Sequence, residues 1–208
     1  MRRVSSFLIS LGFFLIFTSI AVFIFTFYPV IFAEIKYQLA KLGDRSSVVS
    51  IEENAPNGKN VIKPVDEEFG IVIPKIGANA KVIENVDPYD PQIYQKALTG
   101  GVAHAKGTVF PGNFGNIFIF SHSSVNFYEA NRYNSIFYLL SKMEKGDEVY
   151  IFFHKQKFMY KVTDKKIVAP QEVSYLSGQA QGQILTLMTC WPAGTTFKRL
   201  LVIGKLSS

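Results

Sequence analysis

The sequence predicts a mostly β domain, either a barrel or a sandwich, that follows one long apolar helix at the N-terminus. Two observations predict this. No charged side chain occurs from Val4 to Ala33, and after about Asp66 short apolar runs alternate with turn signals such as Pro111-Gly112. Short strands with closely spaced turns are typical of barrels and sandwiches. A chain of 208 residues has room for one such domain with accessory segments.

The uncharged run from Val4 to Ala33 favours a retained transmembrane anchor. As a helix it would be about 45 Å long, more than the roughly 30 Å hydrocarbon core of a bilayer. Pro29 would kink or end that helix near its outer edge. A cleaved signal peptide would have an apolar region of only about 7–15 residues, followed by a small-residue cleavage site. A buried core helix that is apolar on every face would be unusual.

The charges around this run predict the topology of the chain. Two arginines precede it, so the positive-inside rule predicts that residues 1–3 are cytoplasmic and that residues 4–33 cross the cell membrane once. Residues 34–65 are then an extracellular juxtamembrane segment and flexible spacer, because most of this stretch is polar and rich in turn-forming residues. The folded, extracellular domain is predicted to span residues 66–208.

The composition excludes several classes of protein. The net charge of +6 suits a protein beside an anionic membrane or wall polymer. The lysines and arginines are scattered rather than gathered in a stripe, which argues against nucleic acid as a partner. One cysteine excludes an internal disulfide and a metal site built from several thiolates. No cofactor is predicted.

Apolar runs after the spacer predict the strands, and two helices interrupt them. The first helix covers Pro91–Leu98, with Asp90 as a plausible N-cap. The second covers Asn131–Met143, where apolar residues recur at helical spacing. The predicted strands are Phe69–Ile73, Ala80–Ile83, Asn116–Phe120, Glu148–Phe153, Phe158–Thr163, Lys166–Ala169, Ile184–Cys190 and Leu200–Leu206.

Cys190, the single cysteine, is the first candidate functional residue. A free cysteine is more often a small buried hydrophobe than a nucleophile, but this one ends a strand, where a side chain faces a rim that substrate can reach. Arg199 opens the next apolar run after the loop 191–198, so antiparallel pairing would bring it close to Cys190. An arginine is more often a solvated rim charge. Beside a nucleophile, however, it would stabilise a thiolate or an oxyanion.

A cysteine nucleophile also needs a proton carrier, and the chain has three histidines. His122 directly follows the predicted strand Asn116–Phe120 and so lies at another strand end. His104 lies in a glycine-flanked loop, and His154 lies in a predicted hairpin turn, where we expect it to be solvated. Position therefore favours His122, then His104. Three scattered histidines without a paired carboxylate disfavour a metal site.

These residues resemble those of the sortases, a family of cysteine transpeptidases of the cell surface. Thr186–Cys190 reads TLMTC and matches the family's TLxTC signature, and Arg199 precedes a closing Leu-Val-rich strand as the family's arginine does. The segment Gly101–Gly112 resembles the stretch that leads into the family's histidine strand. The likeness covers about residues 66–208. One position departs from the family pattern. A glycine often precedes the family's histidine, whereas Ser121 precedes His122 in this chain.

The resemblance implies a closed β-barrel of about eight strands with two or more short helices. It implies that Cys190, His122 and Arg199 are catalytic. It also implies that His104 is a conformational or substrate-side residue. Thr189 is adjacent to Cys190 in the strand, so its side chain points to the opposite face, and we expect it to support the site by packing. The supporting residues expected around the site are Thr189, His104, Ser121 and Trp191.

The resemblance further implies a reaction. The Cys190 thiolate would attack a backbone carbonyl within an LPxTG-like C-terminal sorting signal, Arg199 would stabilise the oxyanion, and His122 would protonate the leaving amine. The resulting thioester would be released by a primary amine from a peptidoglycan precursor or a pilin lysine. Residues 42–65 have no obvious aromatic lid signature of the kind found in pilus-building members, and the subclass stays open.

Two alternatives stay open at the level of sequence. A membrane-anchored cysteine hydrolase would use the same residues with water as the acceptor. A non-enzymatic surface-binding β-barrel would bury Cys190 as a small hydrophobe. Amine-dependent ligation separates the first alternative from a transpeptidase, and reactivity of the thiol separates the second.

Overall fold

The computed structural model describes residues 9–24, 34–35, 38–39, 62–123, 136–177 and 180–207. The predicted cytoplasmic residues 1–3, and parts of the predicted anchor and spacer, lie outside these ranges. Residues 9–24 form helix α1, most of whose large apolar side chains are exposed. Within the described ranges, no helix combines the length and apolar character needed to span a membrane.

In the part of the chain that the structure describes, eight strands form a closed barrel, which confirms the mostly β prediction and decides for a barrel over a sandwich. Around the barrel their order is β1-β2-β3-β4-β7-β8-β6-β5. The pairs β2/β3 and β4/β7 are parallel, and the other neighbours are antiparallel. The strands are β1 (Phe69–Ile73), β2 (Ala78–Val86), β3 (Val102–Ala105), β4 (Gly115–Phe120), β5 (Glu148–Phe153), β6 (Gln156–Val168), β7 (Gln183–Trp191) and β8 (Lys198–Leu206).

Two of the predicted strands, β1 and β5, have the predicted bounds, and the differences elsewhere have local causes. The prediction missed β3 and placed His104 in a loop, because this strand has only four residues, all buried, and shows no alternation. The predicted break between Phe158–Thr163 and Lys166–Ala169 was also wrong. β6 is continuous. The polar residues that look like a turn lie at a register shift between Val162 and Asp164, and they remain within the strand.

Helix α2 (Pro91–Leu98) agrees with its prediction and links the parallel strands β2 and β3. The Asp90 carboxylate accepts hydrogen bonds from the backbone N–H groups of Gln92 and Ile93, so it caps the helix as expected. Three short 3-10 helices complete the described elements, namely η1 (Pro74–Ile76), η2 (Tyr138–Lys142) and η3 (Ser174–Leu176).

The second predicted helix, Asn131–Met143, is wrong in type where the structure describes it. Its first residues, 131–135, lie outside the described ranges. Of the rest, Tyr138–Lys142 form the 3-10 helix η2, residues 136–137 form a turn, and Met143 is extended. Phe137, Leu140 and Met143 are fully buried, as the apolar face predicted. Their spacing of three residues matches the three-residue turn of a 3-10 helix, and Leu140 N–H donates to the Phe137 carbonyl at 3.1 Å.

Two apolar clusters lie on opposite faces of the barrel wall. The inner cluster fills the barrel and includes Ile71, Ile73, Val102, Ile117, Ile119, Leu140, Leu185, Leu187, Leu200 and Val202. The outer cluster lies on the outside of β3, β4 and β8. It consists of buried Val86, Leu98, Ala103, Ala105, Phe118, Phe120 and Leu201, with half-buried Ile83, Tyr94, Ala97, Val168, Tyr175, Leu176 and Met188 packed against them. Because strand side chains alternate, these clusters tell which face each site residue uses.

Candidate active site

Cys190 and Arg199 lie directly opposite each other on the antiparallel strands β7 and β8. This confirms the pairing predicted from the intervening loop, although β7 runs to Trp191 and β8 begins at Lys198, so only residues 192–197 lie between the strands. Residues paired in this way have Cα atoms roughly 4.5–5.5 Å apart. A thiol and a guanidinium are therefore neighbours at one end of the barrel.

Both side chains belong to the outer face of the barrel. On β7, Leu185 and Leu187 pack in the inner cluster, whereas Met188 packs on the outer cluster. Cys190 lies two residues after Met188, and residues two apart in a strand point to the same face, so Cys190 shares the outer face. On β8, Leu201 of the outer cluster fixes the same face for Arg199. Cys190 and Arg199 are both half-buried, which leaves each accessible from solvent.

His122 follows the strand on the other side of β7. β4 and β7 are parallel, with Phe120 paired to Met188, so the same register carried two residues further sets position 122 beside Cys190. Phe118 and Phe120 belong to the outer cluster, and the alternation assigns His122 to that face. His122 is half-buried. β7 and β8 thus carry two of the residues that the sequence singled out, and the third, His122, follows the end of the neighbouring strand β4.

Two hydrogen bonds fix the backbone just before His122. The Ser121 N–H donates to the Met188 carbonyl at 3.1 Å, and the Thr189 hydroxyl donates to the Ser121 carbonyl at 3.0 Å. Thr189 is buried on the inner side of the strand, as the alternation predicted. Its hydroxyl contact was not foreseen. Ser121 and Thr189 therefore tie the chain ahead of His122 to the strand that carries Cys190.

The guanidinium of Arg199 is held by two backbone carbonyls, one at the end of the loop between β7 and β8 and one in the first residue of β8. Its Nη1 donates to the carbonyls of Thr196 and Lys198, both at 3.1 Å. A guanidinium carries five N–H donors in a fixed fork, so the remaining donors can serve an oxygen of a bound molecule. These two backbone contacts therefore orient a cation beside the thiol.

His104, the second candidate, lies inside the barrel wall and is fully buried. The Asn85 N–H donates to its Nδ1 at 3.4 Å, which makes Nε2 the protonated nitrogen, and Nε2 donates to the Val109 carbonyl at 3.1 Å. Burial lowers the pKa of His104, and the hydrogen bond to Val109 opposes this. Its place in β3 on the same face as Val102 separates it from the outer face of Cys190.

The remaining predicted residues are placed as follows. Trp191 is half-buried and packs against the inner cluster at the end of β7. His154 lies in the hairpin turn between β5 and β6, on strands that do not neighbour β7. Over the part of the chain that the structure describes, no group of three His, Cys, Asp or Glu side chains is arranged to hold a metal ion.

Sequence reasoning missed two polar residues beneath the outer face. Asn116 and Thr186 are both buried, and the Thr186 hydroxyl donates to the Asn116 side-chain oxygen at 2.8 Å. The available signal was Asn116, the one polar side chain in the otherwise apolar strand β4, together with Thr186, which lies between apolar residues in β7. Buried polar side chains are normally paired, so two such residues on neighbouring strands are candidates for contact.

The fold and site define a class of closed β-barrel proteins with a free thiol and a guanidinium side by side at one end of the wall. Comparison with known proteins names the family. The Sortase domain family model matches residues 71–207 of this chain. The chain belongs to the sortase family, whose general function is transpeptidation.

Individual relatives agree with this assignment. Sortase D of Bacillus subtilis (strain 168) is 27% identical over 176 residues, which cover 83% of this chain and 80% of that protein. The crystal structure of sortase C-1 from Actinomyces oris is similar with a TM-score of 0.58 and 28% identity, covering 69% of this chain and 76% of that chain. The structure of Clostridium perfringens sortase C with the C-terminal cell wall sorting motif has a TM-score of 0.57 and 26% identity, covering 86% of this chain and 87% of that chain.

Proposed function

We propose that this protein is a membrane-anchored cysteine transpeptidase that cleaves a C-terminal sorting signal and joins the released carbonyl to an amine. The observation that carries the proposal is the register of three strands, in which Cys190 is paired with Arg199 on one side and flanked by the end of β4, with His122, on the other. The C. perfringens sortase C structure with a cell wall sorting motif supports the substrate class. We expect an LPxTG-like motif.

In the first step the Cys190 thiolate attacks the scissile backbone carbonyl, and the carbonyl π electrons move to oxygen. Arg199 stabilises that oxyanion with N–H donors that its loop contacts leave available. When the tetrahedral intermediate collapses, the C–N bond breaks and His122, as imidazolium, gives its proton to the leaving amine. The product is a thioester between Cys190 and the surface protein.

In the second step a primary amine attacks the thioester carbonyl. Neutral His122 takes the proton from the attacking nitrogen, and the Cys190 thiolate leaves as the new amide forms. The amine comes from a peptidoglycan precursor or a pilin lysine. Water in place of the amine would make the same residues hydrolytic.

The outer cluster supplies a surface for the substrate on the same face as Cys190. Met188 lies two residues before Cys190 on that face, and both it and Tyr94 of α2 pack against this cluster, which includes the phenylalanines of β4. Tyr175 and Leu176 of η3 also pack against this cluster. We propose that a peptide lies between α2 and η3, with its apolar side chains on this cluster and its scissile carbonyl at Cys190.

The anchor belongs to the same proposal. Helix α1 exposes Phe13, Phe14 and Phe17 by more than half of their surface, and a hydrocarbon environment would bury such a face. Residues 4–33 then hold the catalytic domain at the outer surface of the cell membrane. Tethering raises the effective concentration of substrates that are themselves held in the membrane.

A peptide cleavage assay with a panel of amines tests the function. We expect the full chain to cleave an LPxTG-type peptide and to form ligated product in proportion to the added amine, detected by mass spectrometry. A cleavage rate that is the same with and without the amine, together with the absence of ligated product, would identify a hydrolase. A thiol-reactive probe that fails to label Cys190 in the folded protein would favour the binding barrel.

The matched control is Cys190→Ala, which removes the thiol from a half-buried position and leaves the barrel contacts in place. We expect no turnover by this variant and an unchanged thermal unfolding midpoint. Full activity of Cys190→Ala would contradict the nucleophile assignment. His122→Ala should also lose turnover, while its Cys190 stays available to the probe.

A further inference from the structure

A buried polar chain connects three parts of the outer face. Thr186 on β7 donates through its hydroxyl to Asn116 Oδ1 on β4 at 2.8 Å, and Asn116 Nδ2 donates to the carbonyl of Tyr175 in η3 at 2.8 Å. Asn116 is 5% exposed and Thr186 is 2% exposed. A carbonyl can only accept, so the contact with Tyr175 fixes which end of the Asn116 amide faces η3.

The far end of this chain is an element with little support of its own. η3 has three residues and no buried residue, and its N-cap residue Val173 makes no side-chain hydrogen bond. Its local side-chain support comes from Glu172, whose exposed carboxylate accepts from the N–H and the hydroxyl of Ser174. Isolated 3-10 turns of this length are not stable, because the hydrogen bonds are few and poorly aligned. Tyr175 and Leu176 pack on the outer cluster from one side, and Asn116 holds the backbone between them from below.

We propose that Asn116 is a positioning residue that holds η3 as one wall of the peptide groove, with Thr186 setting the orientation of the Asn116 amide. The inference rests on the proposed function, in which the sorting-signal peptide lies between α2 and η3. Asn116 does not touch the reacting atoms. It acts through η3, so its loss weakens peptide binding and leaves the chemistry at Cys190 intact.

Asn116→Asp is the sharpest variant, because it keeps the acceptor for Thr186 and replaces the donor to Tyr175 by an oxygen that repels the carbonyl. We expect amide hydrogen exchange at residues 174–177 to rise about tenfold and the KM for the peptide to rise about tenfold, the consequence of losing one buried hydrogen bond. kcat and the alkylation rate of Cys190 should stay within about twofold of the original protein.

Three further variants make the test independent of folding defects. Thr186→Val removes the hydroxyl at nearly constant shape and should move KM and exchange in the same direction, whereas Thr186→Ser keeps the hydroxyl and should restore both. Asn113→Asp makes the same chemical change at an exposed loop position and should alter neither. Thermal unfolding of each variant shows whether it is folded.

Unchanged exchange at 174–177 in both Asn116→Asp and Thr186→Val would overturn the positioning role. A fall in kcat and in the unfolding midpoint with an unchanged KM would also overturn the positioning role, because that combination indicates a general loss of structure. If the original protein turns over no peptide, the proposed function fails, and the exchange measurement still decides whether Asn116 holds η3.

Discussion

Cys190 on β7 and Arg199 on β8 are paired residue to residue across the antiparallel ladder, and both belong to the outer face of the barrel. The carbonyls of Thr196 in the loop between the strands and of Lys198, the first residue of β8, bind one end of the guanidinium. Barrel register and loop contacts therefore act together to set the cation beside the thiol.

Arg199→Ala should lower kcat by about 10² to 10³, the loss typical of removing an oxyanion donor. Arg199→Lys should recover only part of this, since an ammonium keeps the charge but lacks the planar fork. Steady-state kinetics on the sorting-signal peptide measures both. Lys198→Ala is the matched control, because Lys198 is exposed and pairs with Trp191 rather than with Cys190, and it should stay within about twofold of the original protein. Equal activity of Arg199→Ala and Lys198→Ala would contradict the role of Arg199.

Thr189→Val should reduce both stability and turnover. Valine keeps the shape but loses the hydroxyl that donates to the Ser121 carbonyl, which precedes His122. An unsatisfied buried carbonyl costs about 1–3 kcal/mol, and the backbone ahead of His122 loses one of its two attachments to β7. Urea unfolding and kcat report the two effects. Thr189→Ser keeps the donor, and identical behaviour of the serine and valine variants would show that the hydrogen bond is unimportant.

His104 should make the fold less stable at acid pH. Burial lowers the pKa of His104 below its ordinary value of 6.5, with the Val109 carbonyl and the charge of Glu84 opposing. The unfolded chain then binds more protons than the folded chain as pH falls through 6.5, so this stability is complete above 6.5 and is lost below it.

Urea unfolding at pH values above and below 6.5 measures this effect. His104→Gln has no group to titrate, so we expect its unfolding free energy to decline less steeply with acid than that of the original protein. Parallel declines in the two proteins would exclude His104 as the source.

The hairpin between β5 and β6 should accept a stabilising change. His154 and Lys155 form its two-residue turn with φ values of 49° and 63°, a left-handed geometry that favours Asn-Gly. Replacing the pair by Asn-Gly should raise the unfolding free energy by about 1 kcal/mol, because side chains at these positions are strained. The lost ion pairs with Glu68 are exposed and contribute little.

Urea unfolding of the Asn-Gly variant gives this change directly. Peptide turnover should be unaffected, because β5 and β6 do not neighbour β7 in the part of the barrel wall that carries Cys190. Glu68→Gln in the original protein measures the ion pairs alone. A loss of stability in the Asn-Gly variant larger than that of Glu68→Gln would show that the turn is not strained.

Strands with clear apolar runs were predictable from the sequence. The elements that were predicted wrongly are those whose form depends on burial or on strand register, which an apolar pattern does not show. β3 is buried on both faces and has only four residues, so His104 looked like a loop residue. β6 contains charged residues at a register shift, so one strand looked like two. The 3-10 form of η2 depends on packing Phe137, Leu140 and Met143 into the barrel, which periodicity alone did not separate from an α-helix.

The sequence by itself determined a β domain with a thiol at one strand end and an arginine at the start of the next strand, because local runs and a short connection limit the pairing. Only the tertiary structure decided which strands neighbour β7. The parallel contact with β4 joins residues about 70 positions apart, as Thr186 and Asn116 are, and no local pattern encodes it. Closure of the barrel set the end of β4, which leads to His122, beside the strand that carries Cys190, turned His104 inward, and brought Asn116 under η3.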